Sequence, residues 1–211
     1  MKTKYHIEIT RHALKDHFSR QALQTVIQAN ISQDRVKYQF GHDHFHFDGS
    51  AFDEAFSYID LQEKIIYEAL LKDNINLARK ALGRLAHTWQ DFYSHSNYVH
   101  LWREKAGGDS PPKDIHHDDQ EIFNHPELMS GKNYGLIEFI ALIPFISKLI
   151  TPLMPPDSHA QMNLDGPGAG CCFEFAYWAA IKRTKTIIDR LEIQFMKKDI
   201  SQQKISAFLG K

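Results

Sequence analysis

The sequence predicts an all-α, single-domain multi-helix bundle. Nearly every apolar segment repeats at helical spacing, no run alternates as a strand would, and no linker or internal repeat divides the chain. With 211 residues, 43% of them apolar, one domain over 1–211 can bury a full core without staples. Lys and Arg number 25 against 26 Asp and Glu, so no net field gathers nucleic acid, and no stable nucleic-acid partner is expected.

Taken in order, Ile9, Ala13 and Leu14 share a face of a short first helix, with Thr10 as its cap. Ser19 caps a second helix, with Leu23, Val26, Ile27 and Ile31 on one stripe. Val36 to Asp48 is aromatic, His-rich and aperiodic, and reads as a loop. Ser50 opens a capping-box-like run into a long helix ending at Leu71, which buries Phe52, Phe56, Ile59, Ile66 and Leu70. Asn74 caps another long helix carrying Leu77, Ala81, Leu85, Thr88, Phe92 and Val99. Gly107-Gly108 and Pro111-Pro112 close that region and open an irregular insert over about 103–131.

Tyr134 to Met154 is the most apolar stretch, but Glu138, Lys148 and Pro144 lie inside it. A membrane span needs about 20 apolar residues, so a bent core helix is the better reading. Peripheral membrane contact through 134–154 is the sharper alternative. The Gly166–Gly170 turn then leads to a long helix from Cys172 to about Met196 and a short one from Ser201. A bond between the adjacent Cys171 and Cys172 would be strained, and MKTKYHIEITRHALKD has no apolar signal core. Both features make a cytoplasmic setting the expectation.

Thirteen histidines, clustered rather than scattered, point to metal. His87, Asp91 and His95 lie at i, i+4 and i+8 and project from one face of a helix. Imidazole and carboxylate are suitable zinc ligands, and a carboxylate between two histidines can bridge two ions. Apolar neighbours point this face inward, where unpaired ionisable groups are costly. A metal-free hydrogen-bonded His-Asp-His network is the plainer alternative. His44 and His46 share a side if their segment is extended, and Asp34 lies near enough to converge on it. His6 precedes the first helix, and His159 and Asp165 precede the last long one. His117 and Glu121 form a rival pair in the charged insert.

The segments Tyr5-His6-Ile-Glu-Ile-Thr10-Arg-His-Ala13-Leu14, His46-Phe-Asp48-Gly and Leu85-Ala-His87-Thr-Trp-Gln-Asp91-Phe-Tyr-Ser-His95-Ser-Asn97 resemble Het-C-like members of the zinc-dependent phospholipase C / P1 nuclease superfamily. Ser158-His-Ala-Gln-Met-Asn163-Leu-Asp165-Gly-Pro167 is similar to a later element of that family. The resemblance implies a helical bundle of the phospholipase C / P1 nuclease type, holding two or three Zn2+ ions and hydrolysing phosphate esters, phospholipids among them. It implies His87, Asp34 and His46 in one site with Asp91 bridging, His6 at the ion nearest the N-terminus, and His95, His159 and Asp165 at the third. Asp34 would also be the catalytic base. Secreted members use the amino group of an N-terminal Trp as a ligand, whereas Met1-Lys-Thr-Lys-Tyr precedes His6 here. Asp91-x3-His95 is also shorter than the usual family spacing. A scaffold-like relative with purely structural metals, and a nuclease acting on single strands, are the alternatives. An HD-type phosphohydrolase built on His42-Asp43 ranks last, because that dyad reads as loop.

Overall fold

The computed structural model describes residues 1–35, 38, 41–134 and 150–211. Helices dominate them: α1 (Thr3–Leu14), α2 (Arg20–Ile31), α3 (Asp43–His46), α4 (Phe52–Leu71), α5 (Ile75–His95), α6 (Tyr98–Lys105), α7 (Gln120–Phe123), α8 (His159–Met162), α9 (Cys172–Lys197) and α10 (Gln202–Leu209). Among the described residues there is no strand, only the isolated bridges Ser96–Ser130 and Lys132–Ser158. The fold is all-α, as the periodicity predicts. No described helix is long and apolar enough to cross a membrane.

Helix α5 is the axis of the bundle, with α2, α4 and α9 packed around it, α1 across α2 and α9, and α10 across α5, α2 and α4. Every residue of α5 from Leu85 to His95 is buried, polar ones included. Apolar packing holds this helix in place. Phe92 meets Phe47, Tyr93, Tyr98 and Phe123, and Trp89 meets Phe47, Phe56 and Phe92. Each such ring contributes about 1.5–3 kcal/mol by burial.

Several local expectations shift. Helix α1 starts at Thr3 rather than near Thr10; Thr10 is buried mid-helix and accepts hydrogen bonds from Asn30 and Gln90. Ser19, Asn74 and Ser201 cap their helices as expected. Ser50 does not cap α4, because its side chain accepts from the Ser130 amide instead. Helix α5 stops at His95 and α6 restarts at Tyr98, placing Val99 on a separate helix, and Leu77 is exposed. The insert carries α7 and a 3-10 turn at Pro112–Asp114. Of the apolar stretch Tyr134 to Met154, positions 135–149 lie outside the described residues, and Thr151–Leu153 form a 3-10 turn.

Gly83 permits the closest approach of α5 to α2: a Cβ there would lie 2.3 Å from the Val26 carbonyl oxygen and 2.8 Å from the Asn30 amide nitrogen. Both are backbone atoms inside a helix, so neither can yield cheaply. Gly83→Ala is therefore expected to destabilise the fold by about 1–3 kcal/mol, the usual cost of overpacking. A urea titration checks it: the midpoint should fall while the slope stays unchanged.

Candidate metal centre

Three consecutive turns of α5 present His87, Asp91 and His95 to the interior, and the rest of the bundle brings partners to them. The Asp91 carboxylate is the meeting point. Its Oδ2 lies 2.9 Å from His46 Nδ1 and 3.0 Å from His87 Nε2, and those two nitrogens are 3.1 Å apart. Asp34 Oδ1 stands 3.6 Å from His87 Nε2. The other oxygen, Oδ1, lies 2.6 Å from the Met1 α-amino nitrogen and 3.2 Å from His6 Nε2. His6, Asp34, His87 and Asp91 together offer ligand atoms all within 4.8 Å of one another.

A second group, Asp48, His95 and His159, adjoins the first. Asp48 Oδ1 is 2.9 Å from His159 Nδ1 and 3.2 Å from His95 Nδ1. Asp165 Oδ1 sits on the far side of the His95 ring, 3.2 Å from Nε2, and 2.9 Å from the Met1 amine. The expected trio of His95, His159 and Asp165 is thus divided: Asp48 is the carboxylate that meets both histidines, and Asp165 joins His95 to Met1. All eight predicted site residues stand in this one region.

His42 and His44 do not join it. Asp43–His46 forms a helical turn rather than an extended segment, so His46 is buried at Asp91 while His42 and His44 pack on Phe45. The rival pair in the insert is also apart: His117 Nε2 bonds Thr186 Oγ1 at 2.8 Å, and Glu121 pairs with Lys105 at the surface.

Local backbone chemistry aims two ligands at once. Phe47 adopts the left-handed conformation (φ 56°, ψ 30°), which turns the chain between His46 and Asp48 and sends one side chain to each group. Such a conformation costs a non-glycine residue roughly 1–3 kcal/mol. Complete burial of the Phe47 ring against Phe52, Phe56, Trp89 and Phe92 offsets a cost of that size. Gly131 serves the other group. Its amide donates to the His95 carbonyl and its own carbonyl accepts from Gly49, while a Cβ would lie 2.6 Å from His159 Cα. Only glycine lets the His159 segment come so near.

The buried polar network behind His6 was not anticipated from sequence. Gln90 Oε1 lies 2.7 Å from His6 Nδ1 and accepts from it, which leaves Nε2 facing Asp91 Oδ1 at 3.2 Å. Gln90 is itself fixed: its amide donates to Thr10 and Thr184, and Asn30 donates to its oxygen. Hydrogen bonding of the second ring nitrogen is how proteins orient metal-binding histidines.

The electrostatics of the cluster are dominated by its carboxylates. Four carboxylates, Asp34, Asp48, Asp91 and Asp165, face five histidines and the Met1 ammonium; burial and that ammonium press His95 down, but Asp91 and Asp48 outweigh them and raise it to about 10. Burial by itself would raise the Asp91 carboxyl, but the Met1 ammonium, His87, His95 and His6 hold it well below the usual range. Burial likewise opposes ionisation of Asp165, and the Met1 ammonium and His95 overcome it. Burial pushes His87 down to about 4 against the pull of Asp91, so it is neutral and ligand-ready at neutral pH. The Met1 amine is raised to about 11: burial works against its charge, and Asp165, Asp91 and Asp34 outweigh it.

The donor set could hold a divalent metal. His6 Nε2, His46 Nε2 and His87 Nδ1 are buried without hydrogen-bond partners, and His6 Nε2 is the one aimed at Asp91. In a tetrahedral zinc site with bonds of about 2.0–2.1 Å, ligand atoms stand roughly 3.3 Å apart. The 2.9, 3.0 and 3.1 Å triangle of His46, His87 and Asp91 lies a little inside that spacing, at distances that a metal-free hydrogen-bonded network shares.

Residues 5–127, more than half of the chain, match the VWA7 N-terminal domain. The chain belongs to that family. The matched span runs from α1 to just beyond α7, so this VWA7 N-terminal domain includes His6, Asp34, His46, Asp48, His87, Asp91 and His95, while His159 and Asp165 lie beyond it. Compared with curated proteins and with solved structures, the chain has no significant match.

Gln90→Leu should free the His6 ring while keeping side-chain volume. Loss of such an orienting partner typically weakens metal affinity 10–100-fold. Competition against a chromogenic chelator, read beside an unchanged helical circular dichroism spectrum, measures it.

Proposed function

We propose that this protein is a metal-dependent phosphoric ester hydrolase of Het-C-like, phospholipase C-like character, using two or three divalent ions, zinc foremost. The observation that carries this reading is the Asp91 carboxylate, with separate histidines directed at each of its oxygens. Ions held there would supply Lewis acidity towards a phosphoryl group and lower the pKa of water towards neutrality. His87, His46 and Asp34 would hold one ion with Asp91 shared, His6 would serve the next, and Asp48, His95 and His159 the third.

The chain's own groups have distinct tasks in this reading. Asp91 and His87 are inaccessible, whereas the Asp34 and Asp165 side chains are 22% and 25% exposed, so these are the carboxylates that can meet water or substrate, and Asp34 is the one beside His87. The Thr3 hydroxyl donates to Asp34 Oδ2 at 3.3 Å and fixes its orientation. Asp34 would then orient an attacking water and take its proton at a carboxylate oxygen. The buried aromatic wall of Phe47, Trp89 and Phe92 would keep bulk water from the inner side.

Among phosphate esters, phospholipid is the substrate we place first. Leu153, 81% exposed, and Tyr134, 41% exposed, flank the apolar segment as candidate lipid contacts. The free thiols Cys171 and Cys172 accord with a cytoplasmic setting.

The purified chain should contain divalent metal by elemental analysis, and a strong chelator should lower its melting temperature, since buried ligands would lose their partner. The metal-loaded protein should cleave an aryl phosphodiester or a short-chain phospholipid analogue, with a rate rising with pH to a plateau near neutrality. Asp34→Asn should reduce that rate at least 100-fold. Full metal occupancy with no turnover of phospholipid, phosphodiester, phosphomonoester or single-stranded DNA would reject the hydrolase and favour metals that only staple the helices.

A further inference from the structure

On the outer side of α2 and α5 lies an open groove of about 570 Å³, outside the His/Asp groups. We propose that it binds a small ligand carrying two or more phosphoryl groups, as a site distinct from the metal centre and independent of the hydrolase reading. Three cationic side chains line it: Arg35, just beyond α2, and Lys80 and Arg84, one turn apart on α5. No carboxylate is among its lining residues. None of the three cations forms an ion pair among the described residues. Like charges four residues apart on a helix repel, so gathering them on one wall has no stabilising role in the free fold.

The opposite wall supplies neutral donors. Gln21, Gln24 and Gln28 succeed one another along the solvent face of α2, while Leu23, Val26 and Ile27 take the core face. Carboxamide N–H groups and three cations match phosphoryl oxygens, which only accept at neutral pH, and the amide oxygens can receive hydroxyls of the ligand body. The volume lies within the range of small-molecule sites, roughly 300–1,000 Å³, and is several times what one phosphoryl group fills. Cations from two separate segments also suit two anionic groups better than one.

The chemistry is shared by free bisphosphates and by bisphosphorylated lipid headgroups, and titration of the full chain separates them. Fructose 1,6-bisphosphate is expected to bind, with fructose 6-phosphate at least tenfold weaker. Lys80→Ala and Arg84→Ala should each weaken the bisphosphate about tenfold, the size of one charge-assisted hydrogen bond, with metal content unchanged. Lys80→Glu, at an exposed position that should tolerate it, should abolish binding. Phosphatidylcholine vesicles containing phosphatidylinositol 4,5-bisphosphate form the second arm. Binding there that the same variants remove would assign the lipid headgroup as the source, and binding of the sugar bisphosphate alone would assign a free ligand. No binding of either probe at millimolar concentration, or affinity unchanged by the variants, would overturn the site. Tighter binding of a single-stranded oligonucleotide, growing with its length, would also overturn it in favour of nucleic acid.

Discussion

A single buried carboxylate sets the terms for this fold. Asp91 is 1% exposed at the centre of the bundle, where an isolated charge would be prohibitive. The surrounding architecture supplies its neighbours: α1 brings His6 and the Met1 amine, the segment before α4 brings His46, and α5 itself brings His87 one turn earlier. Removing Asp91 would leave several buried polar groups facing one another without a common acceptor. The position of α1 is therefore tied to the centre chemically as well as by apolar packing.

Two kinds of constraint keep the candidate ligand side chains in place. One is strain balanced by burial, as at Phe47, where an unfavourable backbone conformation persists because its ring is embedded among four aromatic neighbours. The other is a satisfied polar network, as at Gln90, where Thr10, Asn30 and Thr184 from three different helices converge on one carboxamide. A network of this kind is costly if any member is unpaired, so it specifies how α1, α2, α5 and α9 pack. Both devices hold side chains that α5 alone could not orient.

Much of the architecture is legible in the sequence because long helices announce themselves. The stripes of α2, α4, α5 and α9 repeat over enough turns to define a face, and His87, Asp91 and His95 fall on one of them. Short elements are another matter. The turn Asp43–His46 is too brief for any periodicity, so His44 and His46 seemed to share a side and do not. Asp48 was passed over because its approach to His95 and His159 depends on the left-handed turn at Phe47, which no rule of composition demands of a phenylalanine. Gln90 carried a faint signal, a polar residue beside Asp91 on a helix buried on all sides. Its role emerges only once α1, α2 and α9 supply partners.

Helix α5 also divides its surface by chemistry along its length. Its first half shows Lys80 and Arg84 to solvent beside α2, while its second half, from Leu85 to His95, is wholly enclosed. Gly83 lies at the boundary, where α2 comes nearest. A helix with charged side chains inside needs cover along that half, because water would screen the contacts around Asp91. The same helix can carry exposed cations only where that cover is absent. The close contact at Gly83 lets α2 serve both halves: its inner face seals the core, and its outer amides stand beside the cations. One helix pair thereby separates a buried centre of carboxylates and histidines from an open groove lined by cations, so the two surfaces of opposite sign never meet.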